Sequence, residues 1–118
     1  MITGTVNALG VPAVTLNIAG KAWPAVIDTG FNGDLELPSE LRSHISARRM
    51  GSVRSVLAGG QLVVEERYEL DLPFDGQVIF AETTFVPDEY ILIGTHLLRR
   101  HRLVINFATK DVLVERVG

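Results

Sequence analysis

Val14, Leu16 and Ile18 alternate with Thr15 and Asn17. A period of two puts the three apolar side chains on one face of an extended strand, so this stretch cannot be an amphipathic helix. Ala19-Gly20-Lys21 then supplies a turn, and Trp23 to Ile27 runs back as a second apolar stretch, the pattern of a hairpin. The same alternation returns at Tyr68, Leu70 and Leu72, and apolar strand-like runs occupy residues 77–86, 103–107 and 112–117. Many short strands separated by turn signals constrain the chain to an all-β fold. Helix is confined to two short pieces. One is "PSELRSHI", with Ser39 as N-cap and Leu41 and Ile45 four apart on an inner face; the other is "THLLRRH", residues 95–101, with Thr95 as cap.

At 118 residues, with no linker, low-complexity segment or internal repeat, residues 1–118 read as a single domain. Lys and Arg number 11 against 14 Asp and Glu, with no long basic run, which argues against a nucleic-acid partner. There is no cysteine, so disulfides and thiolate chemistry are excluded, in keeping with a reducing cytoplasm. Met1-Ile2-Thr3-Gly4-Thr5 lacks the pattern of a signal peptide, and no run approaches the ~18 apolar residues of a membrane span. The expectation is a cytoplasmic protein without a membrane partner.

Against that background Asp28 is oddly placed. In "AVIDTGFNGDLELP", residues 25–38, a carboxylate ends an apolar strand, where desolvation penalises its charged form. One reading is local, because Asp, Thr and Gly form turns and Asn32-Gly33 is a strong signal for a tight hairpin turn. A calcium loop fails, since its third position is Gly30 and its twelfth is Ser39. The third reading is acid chemistry. Two carboxylates forced together share one proton, and such a pair activates water with its charged member and protonates a carbonyl with its neutral one. Thr29 offers a hydroxyl to hold the loop, and Gly30 lets a peptide backbone approach. The chain holds one such motif, so a dyad requires a second copy of the chain across a two-fold axis: a homodimer.

"LNIAGKAWPAVIDTG" and "ILIGTHLLRRHRLVINF" together resemble the retroviral-type (retropepsin-like) aspartic proteases over roughly residues 12–107. The shared pattern is an apolar strand ending in Asp-Thr-Gly and a later apolar stretch ending in Gly, here Leu92-Ile93-Gly94. The chain looks closest to small, single-domain prokaryotic members, whose motif often reads Asp-Thr-Gly-Phe. The resemblance implies a closed β-barrel of the acid protease fold with one or two short helices. It also implies an aspartic endopeptidase needing no cofactor, with catalytic Asp28 from each of two protomers, Thr29 cross-bracing the two loops and Gly30 contacting a peptide or protein substrate. "SVLAGGQLVVEERYEL" then becomes a flap over about residues 53–70, with Val56, Leu57, Ala58, Gly59 and Gly60 near a mobile tip above the peptide. Phe31 and Ile93 would complete the substrate-binding residues.

The chain departs from the viral pattern in three places. Phe31 replaces a small residue and makes the cleft floor bulkier. Asn32 and Thr95 stand where viral enzymes often pair an acid with an Arg, so that ion pair is absent. "ATKDVLVERVG" continues past Phe107, where viral enzymes end and knit their dimer. Among the other polar residues, His96 and His101 are five apart and His44 is distant, a poor metal set, so no metal is expected. Asp34, Glu36, Glu65, Glu66 and Glu69 read as solvated strand faces, and Arg99, Arg100 and Arg102 as a small surface cluster. The rival to the enzyme is a non-catalytic β-domain that holds an extended peptide in the same cleft by strand addition.

Overall fold

The computed structural model describes residues 1–56 and 58–118. The alternation at Val14, Leu16 and Ile18 becomes a strand with those three side chains buried and Thr15 and Asn17 exposed. Ala19 and Gly20 turn the chain with φ of 53° and 76°, and the strand that returns pairs Ile18 with Lys21. These are β2 (Pro12–Ile18) and β3 (Lys21–Ile27) of ten strands among the described residues. The others are β1 (Ile2–Val6), β4 (Leu35–Pro38), β5 (Arg48–Val56), β6 (Leu62–Phe74), β7 (Gln77–Val86), β8 (Ile91–Ile93), β9 (His101–Asn106) and β10 (Asp111–Arg116).

All ten strands hydrogen bond into one sheet in the order β5-β6-β7-β4-β8-β3-β2-β1-β10-β9. The sheet is open, not the closed barrel expected, with β5 and β9 at its ends. The reason lies in the β5–β6 arm. Over Leu62–Arg67 almost every side chain of β6 is exposed, so the arm stands away from the core and does not pack the sheet's two ends together. Elsewhere the sheet curls on itself and buries a core that includes Leu16, Leu35, Leu37, Leu72, Ile91 and Ile93. Each such side chain contributes about 1.5–3 kcal/mol of burial. The segment beyond Phe107 forms β10, which lies between β9 and β1.

Two local expectations change. Residues 39–44 form a 3₁₀ helix that buries Leu41, but its cap is Pro38 and no side chain caps it, so Ser39 is not the N-cap. Residues 95–100 form turns in place of a second helix. The backbone N–H groups of Thr95 and His96 donate to Phe31 and Gly33, and this tether across the chain leaves only isolated bonds such as Arg99 N to His96 O. Among the described residues, no helix is long and apolar enough to cross a membrane.

Candidate active site

The site is built where the chain crosses itself. β3 and β8 run parallel, pairing Ala25 with Ile91, Val26 with Leu92 and Ile27 with Ile93. β4 flanks β8 on its other side, pairing Leu35 with Ile93 and Glu36 with Leu92. Residues 28–34 therefore bridge over the end of β8, and Asn32-Gly33 does not close a hairpin, because the strands on either side of it are separated by a third. Alternation sorts the side chains. Ile27, Ile93 and Leu35 form a buried row, while Val26, Leu92 and Glu36 form a half-buried row on the opposite face. Asp28, two residues after Val26, continues that open face.

Four backbone bonds lock the bridge to the segment after β8. Asp28 N–H donates to Ile93 O (2.9 Å), Gly94 N–H to Asp34 O (3.0 Å), Thr95 N–H to Phe31 O (2.8 Å) and His96 N–H to Gly33 O (3.2 Å). So close a crossing leaves no room for a side chain at Gly94, where a Cβ would stand 2.1 Å from Gly33 O and 2.8 Å from the Phe31 ring. The Phe31 ring also covers Gly33, leaving 2.7 Å for a Cβ there. The bulk of Phe31 is thus absorbed by two glycines.

Asp28 is half-buried and Thr29 and Gly30 are exposed. Asp28 Oδ1 accepts the Gly30 N–H at 2.9 Å, a bond that orients the carboxylate; a Cβ on Gly30 would stand 3.3 Å from the same oxygen. The structure therefore brings Asp28, Thr29, Gly30, Phe31, Leu92 and Gly94 together. Ile93 is different. Its side chain is in the core beside Ile27 and Leu35, so it supports the floor from below and does not line a cleft.

The hairpin of β5 and β6 pairs Val56 with Leu62, and Val56, Ala58, Gly59 and Gly60 are exposed at its end. Leu57 lies outside the described residues. The hairpin shares a cavity of about 130 Å³ with the bridge, lined by Phe31, Gly33 and Glu36 on one side and Val53, Glu65 and Arg67 on the other.

Asp34 corrects the view of it as a solvated surface acid. It is buried; its Oδ2 accepts the Glu82 N–H at 2.9 Å and its Oδ1 lies 2.5 Å from His96 Nδ1. An acid and a base thus pair across the bridge, two residues beyond Asn32 and one beyond Thr95, so the loop does not lack such a pair. Glu36 is also more than a surface acid: burial, then the charges of Asp88, Glu65 and Asp28, push its carboxyl above the usual range. Glu66 and Glu69 do sit in surface pairs, with Arg49 and Arg48, and Arg102 pairs with Glu115. Among the described residues, no group of three or more His, Asp or Glu is placed to hold a metal ion.

The sequence matches no protein-family model and no curated protein. Solved structures do resemble the fold. The simian foamy virus protease superposes with a TM-score of 0.61 at 20% identity, covering 74% of this chain and 91% of that one. A retropepsin-like aspartic protease from Rickettsia conorii reaches 0.66 at 14% identity, over 95% of this chain and 87% of that one. The EIAV protease, solved with an inhibitor, reaches 0.62 at 16% identity over 80% and 91%. The chain has the retropepsin-like fold.

Proposed function

We propose that this chain, with its retropepsin-like fold, is an aspartic endopeptidase that works as a homodimer. The observation that carries the reading is Asp28-Thr29-Gly30, held on the bridge over Ile93-Gly94 with its carboxylate on the open face. The solved proteins of like fold are proteases by description. One chain contributes one such carboxylate, so the site is complete only when a second copy brings its Asp28 across a two-fold axis. Thr29 and Gly30, exposed in the single chain, are the residues that meet the partner loop and the substrate backbone.

In the dimer the two carboxyls hold one proton between them, because two adjacent negative charges repel. The ionised Asp28 takes a proton from water as the water oxygen attacks the peptide carbonyl carbon, and the protonated Asp28 gives its proton to the carbonyl oxygen. The tetrahedral diol then collapses. A proton passes to the amide nitrogen, the C–N bond breaks, and the shared proton returns to the dyad, leaving an acid and an amine. No cofactor or covalent intermediate enters. The β5–β6 hairpin serves as a flap over the bound peptide, and residues 1–118 act as one domain in a reducing, cytoplasmic setting.

Asp28→Asn tests the assignment. Asn keeps an oxygen for the Gly30 N–H, so the fold should persist, whereas cleavage of a peptide library should fall by about 10³-fold or more. Unchanged cleavage would reject the mechanism. An inactive wild type that still binds extended peptides would favour the binding domain.

A further inference from the structure

The row of side chains that leads to Asp28 ends in a charge. Val26, Leu92 and Glu36 are cross-strand neighbours on the half-buried face, and β7 extends the row with Thr84 opposite Glu36. Strands lie about 4.8 Å apart, so Glu36 is about 10 Å across the sheet from Val26, and Asp28 is about 7 Å further along. Glu36 lines the cavity between the bridge and the β5–β6 hairpin, together with Phe31 and Gly33 of the bridge and Val53 and Glu65 of the hairpin. A peptide lying along the open face with its cleaved bond at Asp28 would pass this cavity.

The other charges around it leave Glu36 uncompensated. Arg67, the cation that lines the cavity, is turned to Glu82 at 3.5 Å. Among the described residues, Glu36 feels its own burial and the acids Asp88 of the β7–β8 loop, Glu65 of β6 and Asp28 of the bridge, with no hydrogen bond and no cation to offset them. A half-buried carboxylate without a partner is costly to the fold unless something supplies the partner. A cavity of about 130 Å³ has room for a side-chain tip and not for a folded domain.

We infer that Glu36 is a specificity-determining residue, which selects a lysine or arginine side chain within about two residues of the bond to be cut, with Glu65 assisting from the hairpin. The spacing follows from geometry: an extended peptide rises about 3.3 Å per residue, and the long basic side chains cover the remaining distance. This rests on the protease reading.

The test uses peptides that differ at one position near the cleaved bond, carrying Lys, Arg, Met, Gln or Glu, with kcat/KM measured near pH 7 at low salt. Wild type should prefer the basic peptides over the Met peptide by about tenfold, the scale of one close charge pair. Glu36→Gln should bring that ratio near one, and Glu36→Lys should invert it toward the Glu peptide. If either variant fails to fold, the wild type still answers. The ratio between two peptides cancels the dyad's own titration, and it should decline on acidification as Glu36 takes up a proton. Wild type that cleaves no peptide overturns the protease reading itself. Wild type that cleaves Met peptides as fast as Lys peptides, or Glu36→Gln that keeps the preference, overturns only the role of Glu36.

Discussion

The bridge over β8 and the β5–β6 hairpin face each other across one cavity and are built in opposite ways. The bridge rests on side chains with almost no exposure, Ile27 (5%), Leu35 (1%) and Ile93 (1%), and four backbone bonds tie it to residues 93–96. The hairpin exposes its apolar side chains, Val56 at 73%, Leu62 at 60% and Val64 at 56%. Beyond its ladder it has surface pairs such as Arg49 with Glu66. In the proposed protease a catalytic carboxylate would have to keep its position to a fraction of an ångström while a cover opened, and buried packing on one side with exposed pairing on the other would suit those two demands.

Substitutions at glycine probe the contrast most strongly. Gly94→Ala pushes a methyl group into Gly33 O and should cost about 3 kcal/mol in urea denaturation. Gly59→Ala in the hairpin meets nothing within 4 Å and should change stability by less than about 0.5 kcal/mol. Comparable losses at the two positions would remove the distinction. Asp34→Asn comes next. It leaves the Glu82 N–H or His96 facing an amide in place of a carboxylate and should cost about 1–3 kcal/mol, with loss of the bridge shown by faster hydrogen exchange at Gly94 and Thr95.

Glu36, between the two regions, should give a smaller, pH-dependent effect. Its folded-state pKa is raised above the usual 4.5, so the stability it contributes is complete below that value and is lost as pH rises through the folded pKa. Glu36→Gln should therefore melt higher than wild type at pH 7, with the difference fading below about pH 4.5. A constant difference would mean that the effect is packing. Smallest is Arg49→Ala in the hairpin, whose urea midpoint should be nearly that of wild type and nearer still in high salt.

The same contrast governs what is legible in the amino-acid sequence. The β2–β3 hairpin is legible because its information is local: alternation in Val14-Leu16-Ile18, then a two-residue turn. Asp28-Thr29-Gly30 and Leu92-Ile93-Gly94 stand out as a pair through resemblance to a family. β1 is hidden by Gly4, a small residue in the middle of its inner face, required because a Cβ there would stand 2.1 Å from Ala13 O. The end of β5 is legible as the first arm of the flap hairpin, but its beginning is hidden because "RRMGSVRSV" carries charge where an apolar face would show. The bridge was beyond local reasoning for a different reason. Asn32-Gly33 has the chemistry of a hairpin turn, and only the insertion of β8, some sixty residues later, keeps β3 and β4 apart. Asp34 looks like any surface acid until His96, 62 positions away, is folded against it. Ile93 and Leu92 are both apolar, and only the register says which faces Asp28.

The central claim is that one active site needs two chains. Mixing tests it directly: wild-type and Asp28→Asn chains are refolded together in equal amounts, and cleavage is measured per total chain. Random pairing gives two Asp28 side chains to about one dimer in four, so the account predicts about one quarter of the all-wild-type activity. Activity of about one half would mean that each chain works alone, and would contradict it.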